Sequence, residues 1–190
     1  VINSSRRWGK TTVLLLYALI YAIKNPNSQV KIATTTQKAL RKTIFPIMRM
    51  LIADAPRNLK PKWDGQNGCY KIFNGSEIHV HGTDAQRHDG LRGQRCDLGI
   101  VDEAAYCSDL HYVVQDILLP QTLTCNGRII LASTPSKKVT QSGEEFKDFC
   151  LQSQVQDAYF TKTIYENKSL TPSTLAAGPP YAASTWYHRS

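Results

Sequence analysis

No apolar run in this sequence reaches the roughly 20 residues that a membrane-spanning helix needs. The longest candidate, Thr12–Ile23, is shorter and is interrupted by Tyr17 and Tyr21. The N-terminus lacks the charged segment, apolar segment and small-residue cleavage site of a secretory signal. No C-x-x-C pair exists among the five cysteines, Cys69, Cys96, Cys107, Cys125 and Cys150, and their number is odd. These absences argue against a zinc site and a disulfide framework, and leave reduced core thiols in a cytosolic setting. There is no internal repeat, and the charge is not massed in a tail.

What is present is a globular composition. Of 190 residues, 42% are hydrophobic, which supports a real core and excludes global disorder. The length suggests one domain plus part of another. The net charge of +8 favours a polyanionic partner, with nucleic acid the usual one. The chain begins at Val1 and meets its first motif almost at once. A phosphate-binding loop needs a strand before it, and only Val1-Ile2-Asn3 remain to supply one. The sequence therefore reads as a fragment whose N-terminal part is missing.

Strand and helix patterns alternate along the chain. Lys10–Lys24 reads as a helix, apolar nearly all round and so expected to be largely buried, with Asn25-Pro26 as its stop. Gln29–Thr35 reads as a strand. Thr36–Ala55 has a helical pattern that Pro46 should kink or split. Pro56–Gly68 reads as a polar loop. Cys69–Phe73 and Glu77–His81 flank Asn74-Gly75, a strong hairpin signal. Thr83–Cys96 reads as a loop and Asp97–Asp102 as a buried strand. Leu110–Leu119 should be a helix stopped by Pro120. Arg128–Ser133 reads as a buried strand, Gly143–Gln152 as a helix and Ala158–Ile164 as a strand. From Ser169 onward the Thr-, Pro-, Ala- and Ser-rich chain is expected to be poorly ordered. The alternation predicts a mostly parallel sheet with helices on both faces and a β-hairpin insertion.

Ser4-Ser5-Arg6-Arg7-Trp8-Gly9-Lys10-Thr11 fits the frame G-x-x-x-x-G-K-[ST], with Ser4 replacing the first glycine. In such a loop, backbone N–H groups at a helix N-terminus wrap phosphates. Gly9 allows close backbone approach, Lys10 neutralises the β- and γ-phosphates, and the Thr11 hydroxyl reaches Mg²⁺. Ser5, Arg6, Arg7, Trp8, Gly9, Lys10, Thr11 and Thr12 are therefore candidate nucleotide-binding residues. The plain alternative is a helix start with a solvated basic loop. Arg6 and Arg7 are unusual here, and an arginine along the γ-phosphate can stabilise charge developing during transfer.

Leu98–Asp102 is an apolar strand that runs into Asp102-Glu103. Asp102 would hold Mg²⁺ and Glu103 would polarise the attacking water as general base. The glutamate points to the additional-strand (ASCE, RecA-like) class of α/β P-loop NTPase, in which an extra strand separates the P-loop strand from the acidic one. Leu131-Ala132-Ser133-Thr134-Pro135 ends the next buried strand in hydroxyls. In a parallel sheet it would surface beside Asp102, where Ser133 and Thr134 could sense the γ-phosphate, or simply form a strand-ending turn.

SSRRWGKTT, GLRGQRCDLGIVDEAAY and ILASTPS together resemble the terminase large subunits of tailed phages and, more distantly, those of herpesviruses. The family's Walker A with an internal arginine is matched by Arg6, Gly9, Lys10 and Thr11. Its Leu-Arg-Gly segment and Asp-Glu-Ala Walker B are matched by Leu91–Gly93 and Asp102–Ala104, and its coupling motif by Ser133–Pro135. The resemblance is close over Asn3–Pro135 and loose from there to Asn167. It implies an ATPase that binds ATP and Mg²⁺ and drives double-stranded DNA into a preformed capsid. The implied assembly is a ring, usually a pentamer, on the portal protein, working with a small terminase subunit in the host cytoplasm. Residues 1–150 would be the ATPase domain, lacking its first strand residues and adenine-binding segment. Residues 151–190 would be part of a linker subdomain, and the family's nuclease domain has no counterpart here. A helicase-like ATPase, or a nucleotide-binding module without turnover, stays open as an alternative. Arg92 and Arg95 could act on phosphate across a ring, contact DNA or be solvated. His79, His81 and His88 read as a solvated hairpin face rather than a metal site.

Overall fold

The computed structural model describes residues 1–84, 90–93, 95–136 and 139–162. Its strands are β1 (Ile2–Ser4), β2 (Gln29–Thr34), β3 (Lys62–Asp64), β4 (Cys69–Lys71), β5 (Glu77–Gly82), β6 (Leu98–Asp102), β7 (Arg128–Ser133) and β8 (Phe160–Lys162). They form one sheet in the order β3-β4-β5-β2-β6-β7-β1-β8. From β5 to β8 every pairing is parallel, while β3 and β4 join antiparallel at the edge. The parallel core needs crossovers, and helices supply them. These are α1 (Lys10–Lys24), α2 (37–51), α3 (110–123) and α4 (Gln141–Val155).

Two apolar clusters show that both faces are covered. Leu14, Leu15, Leu19 and Met48 from α1 and α2 pack on Val30, Ile32, Ile78 and Ile100. Val113, Ile117, Phe146 and Cys150 from α3 and α4 pack on Ala33, Val101 and Leu131 from the other side. Alternate side chains of one strand point to opposite faces, so the apolar runs of β2 and β6 serve both clusters.

Several expectations are corrected. Helix α1 is not buried all round: Leu14, Leu15, Ala18, Leu19 and Ala22 face the sheet, but Val13, Leu16, Tyr17, Ile20 and Ile23 are 37–60% exposed. Pro120 does not stop its helix. A π-helical stretch, Tyr112–Leu118, precedes a further α-turn, Leu119–Leu123, with the proline at its start. Pro46 behaves alike, splitting α2 into the π-helical Leu40–Ile44 and the α-helical Phe45–Leu51. In each case the wide turn re-registers the backbone before a residue that has no N–H to give. The expected loop Pro56–Gly68 contains β3, whose Trp63 packs on Phe45 and Tyr70. At Asn74-Gly75 the hairpin turn also caps α1. Asn74 Nδ2 donates to the Ala22 and Ile23 carbonyls, which lack helical partners. Gly75 sits at φ 82°, and a Cβ there would come 2.3 Å from Asn27 Oδ1. His88 and the segment from Ser169 lie outside the described residues.

Candidate nucleotide site

The cleft at the C-terminal edge of the parallel strands is built from separate stretches of chain. The loop after β1 leads into α1. Gly9, at the junction, has φ 72°, and nothing lies within 4 Å of where its Cβ would stand. Its glycine is therefore explained by the left-handed backbone rather than by crowding. Arg7 is also left-handed, at φ 66°.

Lys10 Nζ donates to the Ser4 and Ser5 carbonyls at 2.9 and 3.0 Å and to Thr134 Oγ1 at 3.0 Å. One side chain thus ties the loop to the end of β7. Burial lowers the Lys10 pKa, and the carboxylates of Glu103 and Asp102 oppose that shift. Thr11 Oγ1 donates to Asp102 Oδ2 at 2.7 Å, joining the start of α1 to the end of β6. Asp102 is 3% exposed, and burial pushes its pKa up to about 6 despite the Thr11 hydrogen bond. Its second oxygen, Oδ1, is buried without a protein partner. A hydroxyl and a carboxylate held together, with one carboxylate oxygen unsatisfied, fit a hard cation such as Mg²⁺.

Glu103 takes the left-handed conformation at φ 55°, ψ 42°. A non-glycine residue there costs on the order of 1–3 kcal/mol, strain that functional sites tolerate. The turn directs Glu103 into the cleft while Asp102 stays in the sheet. Ser133 Oγ accepts from the Ala105 N–H at 3.1 Å and donates to the Thr134 carbonyl, so it braces the turn that follows Glu103.

The cleft has a volume of about 430 Å³. Of the sequence-derived candidates, Arg6, Arg7, Trp8, Gly9, Lys10, Thr11, Thr12, Glu103 and Thr134 line it. Ser5, Asp102 and Ser133 do not; Asp102 lies behind Thr11, which reaches it through its hydroxyl. The Ser5 N–H is taken by the Lys162 carbonyl at 3.1 Å, and Ser133 is fully buried behind the wall. Thr35, Thr43 and Ile47, which no motif in the sequence marks, complete the lining with Tyr106, the last residue of the GLRGQRCDLGIVDEAAY segment. Thr35 follows the C-terminal end of β2, a position where parallel sheets place ligand contacts, and that rule could have found it. Thr43 and Ile47 come from the π-split helix, for which the sequence carries no cleft signal. Arg95 pairs with Asp97 through Nε at 3.0 Å and Nη2 at 2.6 Å, and Arg92 lies over the Tyr112 ring and donates to its hydroxyl.

The strand order decides the class. β7 lies between β1, which carries the phosphate loop, and β6, which carries the acidic pair. This is the additional-strand arrangement, and the fold is that of an α/β P-loop NTPase. Residues 1–174 match the family "Terminase large subunit, T4likevirus-type, N-terminal", and the chain belongs to it. Among solved structures it is similar to the large terminase of a thermophilic bacteriophage, with a TM-score of 0.70 and 22% identity over 91% of this chain and 42% of that one. A second structure of that phage terminase, in complex with ATP-gamma-S, aligns with a TM-score of 0.66 and 19% identity over 90% of this chain and 41% of that one. The Thermus phage P74-26 large terminase ATPase domain aligns with a TM-score of 0.60 and 21% identity over 77% of this chain and 62% of that one. The chain thus spans less than half the length of the first of these terminases. No curated protein matches it.

Proposed function

We propose that this chain is the ATP-hydrolysing motor part of a viral DNA-packaging terminase large subunit. The observation that carries the reading is the junction of three motifs on one cleft: Lys10 on Thr134, and Thr11 on Asp102. A fortuitous GKT would not be met by a buried acid and a strand-end hydroxyl. The family assignment and the nucleotide complex of a solved relative support ATP as the ligand.

The loop backbone and Lys10 would hold the phosphates, with Lys10 exchanging its bonds to the Ser4 and Ser5 carbonyls for phosphate oxygens. Thr11 and Asp102 would hold Mg²⁺, which when bound neutralises charge on the phosphate oxygens. Glu103 would orient and deprotonate the attacking water. Arg6 would lie along the γ-phosphate and stabilise the charge of transfer. Thr134, which shares Lys10 with the loop, would register loss of that phosphate and pass it to the chain after β7. Ser133 would contribute by fixing the Glu103 turn rather than by touching nucleotide.

Residues 1–150 would form the ATPase domain, and 151–190 the start of a linker subdomain. The polyanion favoured by the net charge of +8 would be double-stranded DNA. The motor would work as a homo-oligomeric ring, a pentamer, on the portal protein of the procapsid in the host cytoplasm, with a small terminase subunit. No described helix is long and apolar enough to cross a membrane.

Phosphate release by wild type, Glu103→Ala and Lys10→Ala tests the reading. Wild type should turn over ATP and both variants should not. Equal rates in all three would remove the enzyme assignment. Stimulation of the wild-type rate by double-stranded DNA would then separate a DNA motor from a simple ATPase.

A further inference from the structure

The hairpin β4–β5 places a second set of ligand-type side chains at the opposite edge of the sheet. Cys69 faces His79, and Lys71 faces Glu77. Backbone bonds from Ile72 N to Ser76 O and from Val80 N to Gly68 O fall on the alternate positions. Cys69 and His79 are therefore a non-hydrogen-bonded pair, the kind whose Cα atoms approach to about 4.5 Å. Glu77, two residues before His79, points to the same face. One ligand atom from each of Cys69, Glu77 and His79 lies within 4.8 Å of the other two.

We propose that Cys69, Glu77 and His79 form a binding site for a divalent cation of the zinc type, separate from the nucleotide cleft. The donor set is one sulfur, one imidazole nitrogen and one carboxylate oxygen, which selects zinc-like over magnesium- or calcium-like ions. His79 Nε2 is 3.0 Å from Glu77 Oε2. Two ligands about 2.0–2.2 Å from a tetrahedral ion are roughly 3.4 Å apart, so this pair needs only to spread slightly. Gln29 Oε1, also 3.0 Å from His79 Nε2, is at hand for the fourth position, as is water. A thiolate and a carboxylate match the charge of a divalent ion. The neighbouring cation, Lys71, is engaged at 2.8 Å by Asp64 rather than by Glu77. Cys69 is fully buried while His79 and Glu77 are partly open, so the site has a closed floor and an entry. Gln29 begins β2 and Thr35 follows its other end, about 20 Å apart at the rise of a strand, which sets this site far from the phosphates. A bound ion would pin β4 to β5.

The probe is Co²⁺, titrated into the metal-stripped chain. One equivalent should produce a sulfur-to-cobalt charge-transfer absorption, and Zn²⁺ should displace it. Cys69→Ser should abolish the band, Cys125→Ser should keep it, and His79→Gln and Glu77→Gln should weaken binding by at least about tenfold. Zinc should raise the unfolding temperature of wild type but not of His79→Gln. No band in the folded wild type, or an undiminished band in Cys69→Ser, overturns the proposal. Should Cys69→Ser not fold, an undiminished band in folded His79→Gln overturns it equally.

Discussion

The two ends of the parallel strands are built on opposite principles. At the N-terminal end, polar groups are paired. Asp97 takes the Gln29 N–H at 2.8 Å and the Arg95 guanidinium, and Ser76 takes the Ser28 N–H and donates to the Asn25 carbonyl. At the C-terminal end, pairing is left incomplete. The buried side-chain atoms without partners among the described residues are Asn3 Oδ1, Ser5 Oγ and Asp102 Oδ1, all in β1, its following loop or the end of β6. Glu103 adds backbone strain at the same edge. A buried unsatisfied oxygen costs about 1–3 kcal/mol, so the contrast marks where stability is given up for ligand binding.

If the proposed function holds, breaking the cleft end should show in turnover before stability. Glu103→Gln should lower ATP hydrolysis by about 10²–10⁴-fold while nucleotide still binds, as read by phosphate release beside equilibrium binding of a fluorescent nucleotide. Unchanged turnover would remove Glu103 from the role of base.

Asp102→Asn should stabilise the nucleotide-free chain in chelator. The wild-type carboxyl titrates near 6 when folded against an ordinary 3.8, so the folded state holds the extra proton between these values. Its contribution to stability is complete below pH 4 and is lost as pH rises through 6. The shift corresponds to about 3 kcal/mol, which urea unfolding should show as a gain for Asn at pH 8 that disappears by pH 4. A gain independent of pH would show that the buried charge is not its source.

The paired end should respond in the opposite sense. Lys31, 6% exposed, donates to the Leu91 carbonyl at 2.8 Å and to Gln121 Oε1, holding the Leu91–Gly93 segment on the sheet. Lys31→Met should cost about 1–3 kcal/mol, since Gln121 Oε1 loses its donor and the Leu91 carbonyl keeps only the one from Gln121 Nε2. Ser76→Ala should cost about 1 kcal/mol by the same measurement, through the Ser28 N–H and Asn25 contacts. Stabilisation by either change would erase the contrast between the two ends.

What can be read from sequence divides along the same line. The cleft end rests on contiguous motifs, so α1, β7 and the candidates Lys10, Thr11, Asp102, Glu103 and Thr134 are legible from local pattern, and the structure brings these five together. The other end rests on strand register. Cys69 and His79 are ten positions apart and meet only because Asn74-Gly75 folds them onto one face; no ligand-spacing rule finds them. Strand β3 is hidden because Lys62, Trp63 and Asp64 are polar or exposed and belong to an edge. The exposed stripe of α1 escapes a reading by composition, because an all-round apolar helix does not tell which side meets the sheet.

Strand β8 has a mechanical meaning. It runs parallel beside β1, with Phe160 N–H on the Val1 carbonyl and Ser5 N–H on the Lys162 carbonyl. A pull on the chain after Lys162, along the strand, loads these bonds together in shear rather than unzipping them one by one. The same carbonyl that resists the pull holds Ser5, whose own carbonyl holds Lys10. Tension at the end of β8 is thus applied at Ser5, inside the loop after β1.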